Sequence, residues 1–178
     1  MKKELINQGR IDLACGQNRT EGYFGIDKVP GDKVDAVVDL EQFPWPIESD
    51  SAEEVICNHY IEHTSDLMKF MEEVYRILKI GGKLKIVAPY YNSVRCWQDP
   101  THVRAINEAT FFYYNKGWRE VNKLDHYPLS CDFDFTYGYN MATEWANRSE
   151  EARNFAIKHY NNVVNDIIVT MTKREKTN

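Results

Sequence analysis

Short apolar runs that each stop at a glycine or a polar residue dominate the first half of the chain. A run bounded in this way is typical of a buried β-strand. The strands predicted from this pattern cover residues 10–16, 23–27, 34–40, 54–58 and 83–88.

The hydrophobic period becomes helical between the fourth and fifth predicted strands. Apolar side chains recur there at intervals of three and four, which predicts a helix over residues 65–79. Ser65 or Asp66 is a suitable N-cap, and Gly81 with Gly82 predicts the C-terminal stop. Since a parallel neighbour must be reached by a crossover, this strand–helix–strand unit indicates a parallel sheet.

The second half of the chain contains patterns of both kinds. Helices are predicted over residues 107–114 and 149–160, and strands over residues 132–139 and 163–172. The last two strands can form an antiparallel pair, with the final strand at the sheet edge. The expected fold is therefore α/β: a Rossmann-like, doubly wound, mostly parallel sheet with an antiparallel C-terminal edge strand, in one domain of residues 1–178.

The composition of the 178 residues argues against several classes of protein. The net charge is −5, from 22 Lys and Arg against 27 Asp and Glu, which disfavours a nucleic-acid partner. No apolar run is long enough to span a membrane, and no apolar segment follows the N-terminal lysines, so we expect no membrane partner and no signal peptide. Cys15, Cys57, Cys96 and Cys131 form no CxxC pair, which predicts buried thiols in a cytoplasmic protein.

Polar residues stand at the carboxyl ends of the predicted strands, the edge at which open parallel sheets bind ligands. Asp27 ends the second strand, where the two oxygens of a carboxylate match a ribose diol. The loop from Gly16 to Gly22 is too short for a helix, and no glycine-rich phosphate loop is present. A nucleoside without phosphates is therefore the better fit. The alternative is that Asp27 and Asp39 are simple turn carboxylates.

Six segments, taken in order, resemble class I S-adenosyl-L-methionine (SAM)-dependent methyltransferases, and most of all the small type-11 members. They are IDLACG at 11–16, GYFGID at 22–27, VDLEQFPWP at 38–46, SAEEVICNHYIEH at 51–63, EVYRILKIGG at 73–82 and KLKIVAP at 83–89. The resemblance implies the class I methyltransferase fold, SAM as the cofactor and an enzyme that transfers methyl groups.

The resemblance also implies a set of cofactor-binding residues at the matched positions. In chain order these are Ala14, Cys15, Gly16, Asp27, Asp39, Leu40, Asn58 and His59. The first three are expected at the methionine end of SAM, Asp27 at the ribose, the next two at the adenine and the last two at the transferred methyl. Ala14 departs from the family pattern, which has glycine at this position.

The segment DPTH at 99–102 follows the fifth strand and should lie over the same sheet edge. His102 is the candidate general base, with Asp99 beside it, because imidazole titrates near neutral pH. The alternative is a hydrogen-bonded pair that locks the loop. His59 and His63 are four residues apart, but Glu62 does not follow the first histidine as in HExxH, so no metal site is predicted and His63 is expected to be structural.

The leading functional hypothesis is methyl transfer from SAM to an oxygen, nitrogen or carbon of a small-molecule acceptor, by a monomer or homodimer. The sequence does not identify the acceptor, although the lack of prolines after Asn58 disfavours nucleic-acid bases. One alternative is a SAM- or nucleoside-binding module that acts as a partner subunit without transferring methyl groups itself. A nicotinamide-dependent oxidoreductase is a third, weaker hypothesis.

Overall fold

The computed structural model describes residues 5–175. Residues 1–4, the start of the segment in which no signal peptide is expected, lie outside the described residues. The strands in the described part are β1 (Arg10–Leu13), β2 (Phe24–Asp27), β3 (Ala36–Val37), β4 (Ala52–Asn58), β5 (Leu78–Pro89), β6 (Phe133–Met141) and β7 (Val164–Lys173). The helices there are α1 (Leu67–Ile77), α2 (Val94–Gln98), α3 (Ala109–Phe112), α4 (Lys116–Val121), α5 (Thr143–Ala146) and α6 (Glu150–His159).

All of these strands join one sheet in the order β3-β2-β1-β4-β5-β7-β6. The pairs from β3 to β5 are parallel, and β7 runs antiparallel to both of its neighbours. The strand order reverses between β1 and β4, as expected for a doubly wound sheet. The predicted α/β fold class is therefore confirmed.

The position of the C-terminal strand differs from the expectation. Its antiparallel direction is as predicted, but β7 lies inside the sheet because β6 pairs with it from Phe133↔Lys173 to Met141↔Val164. The edge strands are thus β3 and β6, so the last strand has no free edge for pairing with a second copy.

The glycine pair after α1 has a different role from the predicted helix stop. The helix ends at Ile77, where the backbone N–H of Leu78 caps the Val74 carbonyl, and Leu78 already pairs with Ala52 in the sheet. The register then jumps to Glu54↔Lys83, so residues 79–82 bulge out. A Cβ on Gly82 would lie 2.8 Å from a backbone oxygen, so glycine is needed for this close approach.

Helix α1 supplies much of the cover on the apolar face of the sheet. Asp66 accepts a hydrogen bond from the Lys69 N–H and caps its start, as one of the two predicted N-caps. Phe70, Met71 and Val74 are fully buried in the hydrophobic core cluster. In the described part of the chain, no helix has both the length and the hydrophobicity needed to cross a membrane.

The opposite face of the central strands is polar. Lys83 and Lys85 are exposed on β5, and the Glu54 carboxylate binds both Lys85 and the Tyr23 hydroxyl. No helix lies in the described connections from β1 through β4, which is why this face lacks the cover that a doubly wound sheet usually has. The candidate site at the strand ends is therefore built from the short loops between these strands and not from helices.

Candidate functional site

The chain turns sharply at the carboxyl ends of β1 and β4, the two strands that flank the switch point. Ala14 follows β1 with φ of 54°, and His59 follows β4 with φ of 52°. This left-handed conformation costs about 1 kcal/mol for a residue with a Cβ. Such residues concentrate at functional sites, where the surrounding structure maintains the strain.

Asp27 connects the end of β2 to the turn after β1. One of its carboxylate oxygens accepts a hydrogen bond from the Gly16 N–H at 2.9 Å, and the other accepts one from the Val29 N–H at 2.9 Å. A carboxylate oxygen can accept two hydrogen bonds, so each keeps an acceptor position. The side chain is therefore fixed in place and still able to accept from a ligand.

A cavity of about 500 Å³ lies at this edge of the sheet, within the size range of small-molecule sites. Its lining residues come from the ends of β1 to β4 and from the DPTH segment: Ala14, Asp27, Lys28, Val38, Asp39, Leu40, Glu41, Tyr60, His63 and Thr101. Four of the eight predicted cofactor-binding residues thus line one cavity: Ala14, Asp27, Asp39 and Leu40.

The charged groups of the cavity are mainly acidic. Asp27, Asp39 and Glu41 face a single lysine, Lys28. Three carboxylates attract a cationic ligand and repel phosphate groups. This charge balance agrees with the argument from the sequence that the ligand carries no phosphate.

Glu41 and Tyr60 are cavity residues that the sequence argument missed. The Tyr60 hydroxyl donates to Glu41 at 2.9 Å, and the Ser65 N–H and hydroxyl donate to its other oxygen. Burial acts to raise the pKa of Glu41, but the hydrogen bonds outweigh it and lower the pKa from 4.5 to about 2. The segment EQFPWP at 41–46 was part of the resemblance, but nothing in its pattern indicated a partner 24 residues away at Ser65.

The other four predicted residues lie outside the cavity lining. Cys15 is buried, and its thiol contacts the backbone oxygens of Gly16 and Lys33. Burial raises the pKa of Cys15 to about 11, so the thiol is protonated at neutral pH. Gly16 takes part through its N–H, which donates to Asp27. Asn58, the last residue of β4, and His59, which follows it, are both exposed. The roles of these four residues stay predictions.

The DPTH segment lies at the same edge of the sheet, as expected, since Thr101 lines the cavity. Asp99 accepts hydrogen bonds from the Thr101 N–H at 2.8 Å and from its hydroxyl at 2.7 Å, which fixes the turn. His102 is not a lining residue: its Nδ1 lies 2.8 Å from the Cys96 carbonyl, and its Nε2 lies 4.0 Å from Glu62. His63 is the imidazole that reaches the cavity.

Comparison with known protein families agrees with the resemblance to methyltransferases. A family model described as a methyltransferase domain matches residues 11–86. No curated protein matches the chain.

Several solved structures share the fold over nearly the whole chain. A SAM-dependent methyltransferase from Archaeoglobus fulgidus is 16% identical, with a TM-score of 0.65 over 94% of this chain and 87% of that one. An S-adenosylmethionine-dependent methyltransferase from Mesorhizobium loti is 13% identical, with a TM-score of 0.53 over 97% and 93%. A putative methyltransferase from Bacillus halodurans is 18% identical, with a TM-score of 0.52 over 96% and 94%. The predicted resemblance is confirmed: residues 11–86 match a methyltransferase domain, and the chain has the fold of class I SAM-dependent methyltransferases.

Proposed function

We propose that this chain is an enzyme that binds SAM in the cavity at the carboxyl edge of β1 to β4. It transfers the methyl group to an oxygen, nitrogen or carbon of a small-molecule acceptor. The proposal rests on two aspartates, Asp27 at the end of β2 and Asp39 just after β3. Both line one cavity with Ala14 and Leu40.

The residues present suit the parts of SAM. The free acceptor positions of Asp27 match the ribose hydroxyls. Leu40 and Val38 offer an apolar border for the adenine, and Asp39 can accept from its exocyclic amine. Ala14, with Cys15 and Gly16 of the same turn, is assigned to the methionine end, and the acidic lining complements the positive charges of the sulfonium and the amino group.

SAM, when bound, supplies an electrophilic methyl group on its sulfonium. The residues of this chain then have mainly to hold cofactor and acceptor in line, which can contribute roughly 7–11 kcal/mol to lowering the barrier. Asn58 and His59, at the end of β4, are assigned to the side of the site where the methyl group leaves. A general base is needed only for an acceptor that is protonated at neutral pH, and His102 with Asp99 is the candidate for that role.

Calorimetric titration with SAM tests the binding step. We expect Asp27→Asn to weaken SAM binding by about tenfold or more, because an amide cannot accept from both ribose hydroxyls and the Gly16 N–H. Asp32→Asn, at an exposed aspartate of the β2–β3 loop, is the matched control and should bind like the parent protein. Failure of the parent protein to bind SAM, or equal affinity in the Asp27 variant, would contradict the proposal.

Mass spectrometry of small-molecule extracts incubated with the protein and SAM tests the transfer step. We expect at least one compound to gain the mass of a methyl group, and its structure would identify the acceptor. SAM binding with no methylated product in any extract would favour the alternative of a binding subunit.

The buried free state of all four cysteines supports the further proposal of a reducing, cytoplasmic location.

A further inference from the structure

Glu62 is a buried carboxylate that accepts no hydrogen bond from the described residues, although the Nδ1 of the exposed His59 lies 3.6 Å from its Oε1. Its side chain is only 2% exposed, and neither of its oxygens accepts a hydrogen bond from any described residue. An uncompensated charge in such a position is strongly unfavourable, so native structures pair it or use it to bind a metal ion. The methyl-transfer proposal gives this residue no role.

Two further histidine rings, those of His63 and His102, face this carboxylate from different segments. The Nε2 of His102 lies 4.0 Å from Oε1 of Glu62, and the rings of His63 and His102 meet edge to face at 4.6 Å. One oxygen of Glu62 and one nitrogen of each histidine lie within 4.8 Å of one another. These separations are too long for hydrogen bonds. Ligand atoms around a tetrahedral Zn²⁺ are ~3.4 Å apart, so modest side-chain rotation would close the set around one ion.

The hydrogen bonds behind the two rings fix their tautomers. The Nδ1 of His102 faces the Cys96 carbonyl at 2.8 Å, and a carbonyl only accepts, so this nitrogen carries a proton and the lone pair of the neutral ring is on Nε2. The Nδ1 of His63 lies 3.0 Å from the Thr101 hydroxyl, whose own hydrogen points at Asp99. That hydroxyl therefore accepts from His63. A ring whose Nδ1–H is held by a carbonyl or hydroxyl is the usual arrangement behind a metal-binding histidine.

We propose that Glu62, His63 and His102 bind one divalent cation of the borderline class, for which Zn²⁺ is the probe. Two imidazoles and one carboxylate are a ligand set that such ions prefer, and three protein ligands leave a position open. His63 also lines the cavity, so the ion lies at the edge of the proposed cofactor site. The ion would join the residues after β4 to the DPTH segment after β5. His102 could not serve as a general base while its Nε2 binds the ion.

Calorimetric titration of chelator-treated protein with ZnCl₂, in the absence of SAM, tests this site independently of cofactor binding. We expect one equivalent to bind, and the unfolding midpoint to rise by about 7 °C at a hundredfold excess over Kd. We expect His102→Gln to lower the affinity about a hundredfold, while His126→Gln, at an exposed histidine, leaves it unchanged. Co²⁺ in place of Zn²⁺ should show no thiolate charge-transfer band.

A milder variant covers the case in which His102→Gln does not fold. Thr101→Val keeps the shape of an exposed side chain but removes the hydroxyl behind His63, and should weaken Zn²⁺ binding about tenfold. The proposal is overturned if no stoichiometric binding occurs, if Co²⁺ reports thiolate ligands, or if the His126 variant loses as much affinity as the His102 variant. An unchanged affinity in folded His102→Gln or Thr101→Val would overturn it equally.

Discussion

Replacing Glu41 tests whether its hydrogen bonds stabilise the fold beside the cavity. The carboxylate accepts from Tyr60 at 2.9 Å and from the Ser65 N–H at 3.0 Å, in addition to the Ser65 hydroxyl. A pKa lowered from 4.5 to about 2 means that the folded state favours the charged form at neutral pH, and solvent screening at this partly exposed carboxylate reduces the stabilisation to about 1–2 kcal/mol. Because glutamine keeps one acceptor oxygen, we expect Glu41→Gln to lose about 1 kcal/mol at pH 7.

The pH dependence of this loss follows from the direction of the pKa shift. A carboxylate with a lowered pKa in the folded state stabilises the protein fully above its unfolded value of 4.5. That contribution is lost as the pH falls towards 2, since protonation removes the charge that the donors favour. The free-energy gap between the parent protein and Glu41→Gln should therefore be constant from pH 8 to pH 6 and fall to about half near pH 3.

Urea unfolding followed by circular dichroism at a series of pH values measures this gap. Glu21→Gln removes an exposed carboxylate and serves as the control, with an expected change below about 0.5 kcal/mol. A gap for Glu41→Gln that stayed constant down to pH 3 would show that the charge of this carboxylate does not matter. A loss equal to that of the control at pH 7 would refute the reasoning from the hydrogen bonds.

Three further predictions concern residues around the site and in the core. Gly25→Ala should cost about 2 kcal/mol or more, since its Cβ would lie 2.6 Å from the Lys33 carbonyl oxygen; an unchanged thermal midpoint would contradict this. Arg119→Met should cost about 3 kcal/mol in urea unfolding, because the buried guanidinium donates to three backbone carbonyls, whereas exposed Lys158→Met should change little. Cys15, whose pKa burial raises to about 11, should react with iodoacetamide at pH 8 only after unfolding, and rapid labelling of the native protein would disprove its protonated, buried state.

The periodic parts of the fold could be predicted from the sequence. The bounded apolar runs located β1, β2, β4 and β5, and the helical period located α1 to within two residues at each end. These patterns respond to which face is buried, and burial is the dominant favourable term in folding. The grouping of Ala14, Asp27 and Asp39 could also be predicted, because parallel strands align their carboxyl ends at one edge of the sheet.

The features that could not be predicted depend on contacts between distant segments. The DPTH segment lies beside the buried Glu62, with the Nε2 of His102 4.0 Å from its carboxylate, although the two are 40 residues apart in the chain. Gly82 is a bulge residue and not a helix stop because Leu78 gains a strand partner in Ala52, a tertiary contact that outweighs local propensity. No local pattern encodes either contact.

The missing helix after β1 bears on which ligand the site selects. In dinucleotide-binding folds the N-terminus of that helix faces a pyrophosphate and favours negative charge. Here the loop is held by side chains instead: Asp12 accepts from the Thr20 N–H at 2.7 Å, and Asp35 binds both Arg19 and the Gly25 N–H. With no helix dipole at the turn, the cavity carboxylates set the local potential, which is negative. The charge at this edge therefore suits the sulfonium of the proposed cofactor better than an anionic group.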